Sequence, residues 1–119
     1  MLGHENLRVY TVSIEFSAWA GELLERIPKR LAVHDQLDRA STSICLNIAE
    51  GAGKHTAKDQ ARFYDIARGS ALECGACLDV AVCRKCVSKD EVADGKAKVE
   101  AIVNMLVGLV RTNDTTRPH

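Results

Sequence analysis

The chain has 119 residues, 46% of them hydrophobic but only 4% aromatic, and sixteen basic residues offset sixteen acidic ones. That length bounds a single domain with a core of its own, and the scarcity of rings favours helices packed through Leu, Ile, Val and Ala over an aromatic-rich sandwich. The charge balance excludes a global field drawing the protein to nucleic acid, an anionic membrane or a charged substrate, so such binding has to come from a local patch.

From about 9 to 27, Val12, Phe16, Trp19, Leu23 and Ile27 recur at spacings of three and four, which predicts an amphipathic helix. Ser13, Glu15, Ser17, Glu22 and Arg26 fall between them and are expected on its wet face. Pro28 should stop the helix, because it lacks an amide hydrogen and biases Ile27 away from helical angles. A second helix is predicted over 35–50, with Leu37, Ala40, Ile44 and Ile48 as its core stripe. Gly51 fits the left-handed position that closes many helices, and Gly53 loosens the connection after it. Glu50 would stand at the negative end of the helix dipole, so a cationic partner is expected among Lys54, Arg39 and Arg68.

Thr56 and Asp59 resemble a capping box that opens a long third helix over 57–86. Its core face is read as Phe63, Ile66, Ala67, Ser70, Cys74, Cys77, Leu78 and Ala81. Ser88 and Glu91 form a second box, and Val92, Val99, Ile102, Val103, Leu106, Leu109 and Val110 carry a fourth helix over 89–111 on a nearly heptad spacing. The tail over 112–119 is polar and expected to fray. Four amphipathic helices with short connections predict an all-α, antiparallel up-and-down four-helix bundle, one domain over 1–119. No apolar run approaches the roughly 20 residues of a membrane span. The N-terminal MLGHENLRVY lacks a basic start and an apolar signal core, so a cytoplasmic location with no membrane partner is expected. An odd count of five cysteines then favours reduced thiols over a disulfide framework.

Cys74, Cys77, Cys83 and Cys86 make two CxxC pairs, a spacing that invites zinc. On one continuous helix at about 100° per residue the two pairs point roughly opposite ways, so a single tetrahedral ion cannot collect them. Small buried or interfacial thiols are expected instead, with no metal or other cofactor. Gln36, Ser43 and Asn47 on the second helix, with Arg68, Ser70 and Glu73 on the third, either line a pocket or satisfy one another. The second is preferred, because an unpartnered buried polar group costs on the order of 1 to 3 kcal/mol.

His4, His34, His55 and His119 show no metal-site spacing, and GAGK lacks the preceding strand and spacing of a phosphate loop. No catalytic residue is nominated, and an enzyme is not expected. Basic residues cluster at Arg26, Lys29 and Arg30 and again at Lys54, His55, Lys58 and Arg62. Lys54, Lys58 and Arg62 are the candidate nucleic-acid contacts, set against the plainer reading of a solvated face. Leu72, Gly75, Cys83 and Cys86 make a second small, apolar stripe on the third helix, and Leu46 faces outward on the second. A monomer has no use for two dry faces on one helix, so self-association is expected.

QLDRASTSICLNIAEG at 36–51 and RFYDIARGSALE at 62–73 resemble, in order and spacing, the four-helix bundle proteins encoded in intervening sequences of bacterial 23S ribosomal RNA genes. That family also includes the accessory variability proteins of diversity-generating retroelements. The resemblance covers about Leu7 to Leu109 and marks Gln36, Arg39, Ala40, Ser43, Asn47, Glu50, Gly51, Arg68, Gly69, Ser70 and Glu73 as motif residues, read here as fold and assembly residues. It implies a homopentamer and an RNA-linked genomic setting. For the retroelement branch it implies an accessory subunit that binds a reverse transcriptase and nucleic acid. Asp38 stands where the family commonly carries an arginine, and with the neutral balance of the whole chain it weakens the nucleic-acid reading, for the retroelement role more than for the intervening-sequence one. The functional expectation is a non-enzymatic oligomeric binding or scaffold protein that contacts RNA. A reverse-transcriptase subunit is the alternative, and a metal or redox protein using the third helix is the third.

Overall fold

The fold is described from a computed structural model covering residues 2–112. A short 3-10 turn, Gly3–Asn6, leads into helices α1 (Arg8–Leu24), α2 (Ala32–Ala52), α3 (Ala57–Cys83) and α4 (Lys89–Thr112). Of the polar tail expected over 112–119, only Thr112 falls among the described residues, and it closes α4. None of the helices is long and apolar enough to cross a membrane.

Each helix packs against two others, α1 on α2, α2 on α3, α3 on α4 and α4 on α1, and backbones do not approach closely across either diagonal among the described residues. The cross-helix pairs fix the directions. Ser43 meets Ser70 while Gly51 meets Tyr64, so α3 runs against α2. Gly75 lies against Val99 while Asp79 pairs with Lys96, so α4 runs against α3. Trp19 covers Gly95 while Arg26 pairs with Glu91, so α1 runs against α4. The result is an antiparallel four-helix bundle measuring 47 × 31 × 21 Å.

The local logic is clearest in α2 and α4. Leu37, Ala40, Ile44 and Ile48 are all buried, as the spacing predicts. Ser88 Oγ accepts from the Glu91 amide and Glu91 Oε1 accepts from the Ser88 amide, both at 3.1 Å, which completes the box that starts α4. At α3, Thr56 Oγ1 accepts from the Asp59 amide at 3.1 Å.

Several expectations need correction. Helix α1 ends at Leu24, three residues earlier than Ile27, and i to i+3 bonds from Arg26 to Leu23 and from Ile27 to Leu24 tighten the exit before Pro28. Ser13 is buried although it reads as polar, because its hydroxyl donates to the Tyr10 carbonyl at 2.7 Å and needs no water. Helix α2 starts earlier than 35, at Ala32, and runs through Gly51 to Ala52. Gly51 is therefore not a left-handed terminator; no glycine among the described residues has a positive φ. On α3, Ile66 is exposed and Phe63 half-buried, and Tyr64 and Ala71 occupy the core in their place. That helix also ends at Cys83 instead of 86, through Lys85 at φ 63°.

Candidate functional site

The polar seam between α2 and α3 is built from three of the motif residues. Ser43 Oγ bonds Ser70 Oγ at 2.9 Å across the helices, and Asn47 Nδ2 donates to the Ser43 carbonyl at 2.9 Å and to its hydroxyl at 3.0 Å. These half-buried groups satisfy one another along one helix face, since 43 and 47 are one turn apart. Ala40 and Gly51 are buried packing positions. An alanine Cβ at Gly51 would stand 2.7 Å from Tyr64 Cε1 and 3.2 Å from the Gln60 carbonyl, so this glycine exists for the close approach of α3.

The remaining motif residues stay outside the seam. Gln36, Gly69 and Glu73 are exposed, Arg39 pairs with Asp35 at 3.0 Å, and Arg68 pairs with Asp65 at 3.0 Å. Glu50 finds its expected partner in Lys54, at 3.4 Å.

The basic strip at the α2–α3 end is more organised than its composition suggests. The Phe63 ring has Lys54 Nζ at 4.9 Å and the Arg62 guanidinium at 4.5 Å from its centroid. Both cations are also held by carboxylates, Lys54 by Glu50 at 3.4 Å and Arg62 by Asp59 at 3.9 Å. Lys58 is exposed and makes no ion pair among the described residues. Periodicity puts Phe63 on the core face; its place between two cations is readable only from Arg62 beside it and Lys54 across the turn.

The five thiols divide by burial. Cys45, Cys74 and Cys77 are buried, Cys83 is exposed and Cys86 is half-buried. Burial pushes the Cys74 thiol up to about 12, with Cys77 and Glu73 adding to the shift, and it also raises Cys45 and Cys77. Cys45 Sγ lies 3.3 Å from the Ser13 carbonyl, where it serves as a small core residue. No group of three or more His, Cys, Asp or Glu among the described residues is arranged to hold a metal.

The outward apolar residues are Leu2 at the N-terminal turn, 65% exposed, Leu46, 61% exposed, and Leu72, 50% exposed, with Ile14, Ile66 and Val80 less so. Leu72 overhangs a groove of about 710 Å³ between α3 and α4, lined by Val82, Val92, Ala97, Val99 and Val103. The Asp79–Lys96 ion pair spans it. Two members of the expected outward stripe lie elsewhere. An alanine Cβ at Gly75 would face Val99 on α4 at 3.5 Å, and Cys86 sits beyond the helix, packed against the core.

A model of the 23S rRNA-intervening sequence protein family matches residues 5–108. The fold is similar to the crystal structure of a protein of unknown function from the S23 ribosomal protein family of Bacteroides thetaiotaomicron, with a TM-score of 0.81. That likeness covers 87% of this chain and 98% of the other at 21% identity, and establishes the fold alone. No curated protein matches the sequence.

Proposed function

The chain belongs to the 23S rRNA-intervening sequence protein family, and from that premise we propose that it is a non-enzymatic scaffold whose four-helix subunits assemble with one another, five in number as the family resemblance implies. The observation that carries this reading is Leu72, half exposed above the α3–α4 groove with its valine floor. A large apolar side chain beside an open apolar groove costs solubility in a monomer and gains by burial against a second copy. The test is sedimentation velocity on the wild-type protein and on Leu72→Asp. Assembly of the first and its loss in the second, with helical circular dichroism unchanged, support the reading. A monomeric wild type, or an L72D protein that assembles as before, refutes it.

Contact with RNA phosphates at the α2–α3 turn is the second reading, favoured by the unpaired Lys58. Because Glu50 and Asp59 already hold Lys54 and Arg62, such a contact is weak and falls off with salt. Titration of structured ribosomal RNA across salt, with Lys58→Ala as the comparison, measures it. Binding that is tight and insensitive to K58A counts against this site.

A further inference from the structure

Helix α3 has no glycine or proline at its C-terminal end, yet it stops there. The Lys85 amide donates to the Val82 carbonyl at 2.9 Å and the Cys86 amide to the Ala81 carbonyl at 3.0 Å, with Lys85 at φ 63°. That is a Schellman closure, in which a left-handed residue turns the chain back over the last helical turn. Cys83, the last residue of α3, is exposed, and Cys86 returns to the helix end half-buried against the core. The two thiols therefore flank a tight, hydrogen-bonded turn, whereas Cys45, Cys74 and Cys77 are enclosed by the bundle.

Charge distinguishes this turn as well. From 83 to 89 the chain reads CRKCVSK, with Arg84, Lys85 and Lys89 all exposed; of the two carboxylates that follow, Asp90 and Glu91, the second is held by the Ser88 amide and Arg26. Such a cluster concentrates small anions near the thiols.

We propose that Cys83 and Cys86 are a thiol–disulfide pair that exchanges with anionic low-molecular-weight disulfides, of which oxidised glutathione is the probe. The Cys83 thiolate, being exposed, attacks one sulfur of the disulfide; a mixed disulfide forms and one thiolate leaves. The Cys86 thiolate then attacks Cys83 Sγ and expels the second. Two protein thiols are oxidised to one disulfide, one small disulfide is reduced to two thiols, and the two protons pass to those products. The pair borders the groove of the assembly reading, which Val82 and Lys89 also line, so the two readings are separated by testing the thiols in the L72D variant as well.

The test is mass spectrometry of the reduced, assembled protein and of its L72D variant after exposure to oxidised glutathione, with the cationic disulfide cystamine in parallel. The expected product is a chain lighter by two hydrogens, with the change confined to the peptide carrying Cys83 and Cys86, and formed faster with glutathione than with cystamine. Cys86→Ser is expected to trap the glutathione adduct on Cys83, and Cys83→Ser to lose the internal disulfide. Any of four outcomes overturns the proposal: no reaction, stable adducts in the wild type without ring closure, bridges between chains or to the buried cysteines, or equal rates with cystamine.

Discussion

Replacing Gly51 with alanine is expected to destabilise the bundle, although Gly51 lies inside a helix where alanine is the better residue. Helix propensity alone favours the substitution by about 1 kcal/mol. Against it stands the added methyl, 2.7 and 2.9 Å from the Tyr64 ring and 3.2 Å from the Gln60 backbone carbonyl. Tyr64 is buried, so its ring has nowhere to go without moving α3. Overpacking of this kind costs about 1 to 3 kcal/mol, which leaves a net loss of about 1 kcal/mol. Gly21 and Gly69 are the controls. Each is helical with nothing within 4 Å of the added Cβ, so Gly21→Ala and Gly69→Ala are expected to gain about 0.5 to 1 kcal/mol. Urea titration of the three variants at one fixed protein concentration separates the signs, because assembly makes apparent stability concentration-dependent. A Gly51→Ala protein as stable as its Gly21→Ala counterpart refutes the claim that α2 and α3 meet through this glycine.

At the α3 terminus, Lys85→Gly is expected to stabilise the protein by about 0.5 to 1 kcal/mol, because only glycine adopts the left-handed angle without a Cβ penalty; thermal melting reads the gain. The α4 cap predicts an acid limb in stability. The Ser88 amide above all, with Arg26 beside it, holds the Glu91 carboxyl below its ordinary value. A depressed folded pKa contributes stability above the unfolded value, about 4.3, that is lost as pH falls through the folded one. Glu91→Gln should therefore flatten stability against pH below about 4, and an unchanged profile removes Glu91 as a cause. In the polar seam, a double-mutant cycle of Ser43→Ala and Ser70→Ala should return a coupling of about 0.5 kcal/mol or more, and additive losses would mean the 2.9 Å contact contributes nothing.

The features legible in the sequence are those that one segment decides by itself. The Leu37, Ala40, Ile44 and Ile48 stripe, the Ser88–Glu91 box and the Glu50–Lys54 pair each arise from residues within a few positions of one another. Gly51 misleads because the reason for it lies on another helix: a glycine after a glutamate near a helix end looks like a terminator, whereas its Cβ is excluded by Tyr64. The end of α3 is invisible for a related reason. Lys85 has no left-handed preference, and the turn is held by bonds to Ala81 and Val82 that no residue type announces. Ser13 passes for a surface residue because hydropathy does not register a hydroxyl that bonds its own preceding turn. The same limit hides the Phe63 strip, in which the ring matters less as core than as a platform for Lys54 and Arg62.

The ion pairs bear on function more than on stability. Arg39–Asp35, Arg62–Asp59, Arg68–Asp65 and Lys98–Asp94 each join residues three or four apart on one helix, and Lys54–Glu50 joins the last turn of α2 to the connection after it. Exposed pairs of this type contribute only about 0.3 to 0.5 kcal/mol each. Their larger effect is to cancel charge within a turn of where it arises, so the helix faces they cover present little net field to a phosphate backbone. On the α2 and α3 faces so covered, and apart from the cationic turn at Arg84, Lys85 and Lys89, recognition falls chiefly to the apolar Leu46 and Leu72 and to Lys58. Of these, only Leu72 adjoins an open apolar groove, and apolar burial does not weaken with salt. Assembly of the subunits should therefore persist at ionic strengths that abolish binding to RNA, and loss of both in the same salt range would mean that charge holds the assembly together.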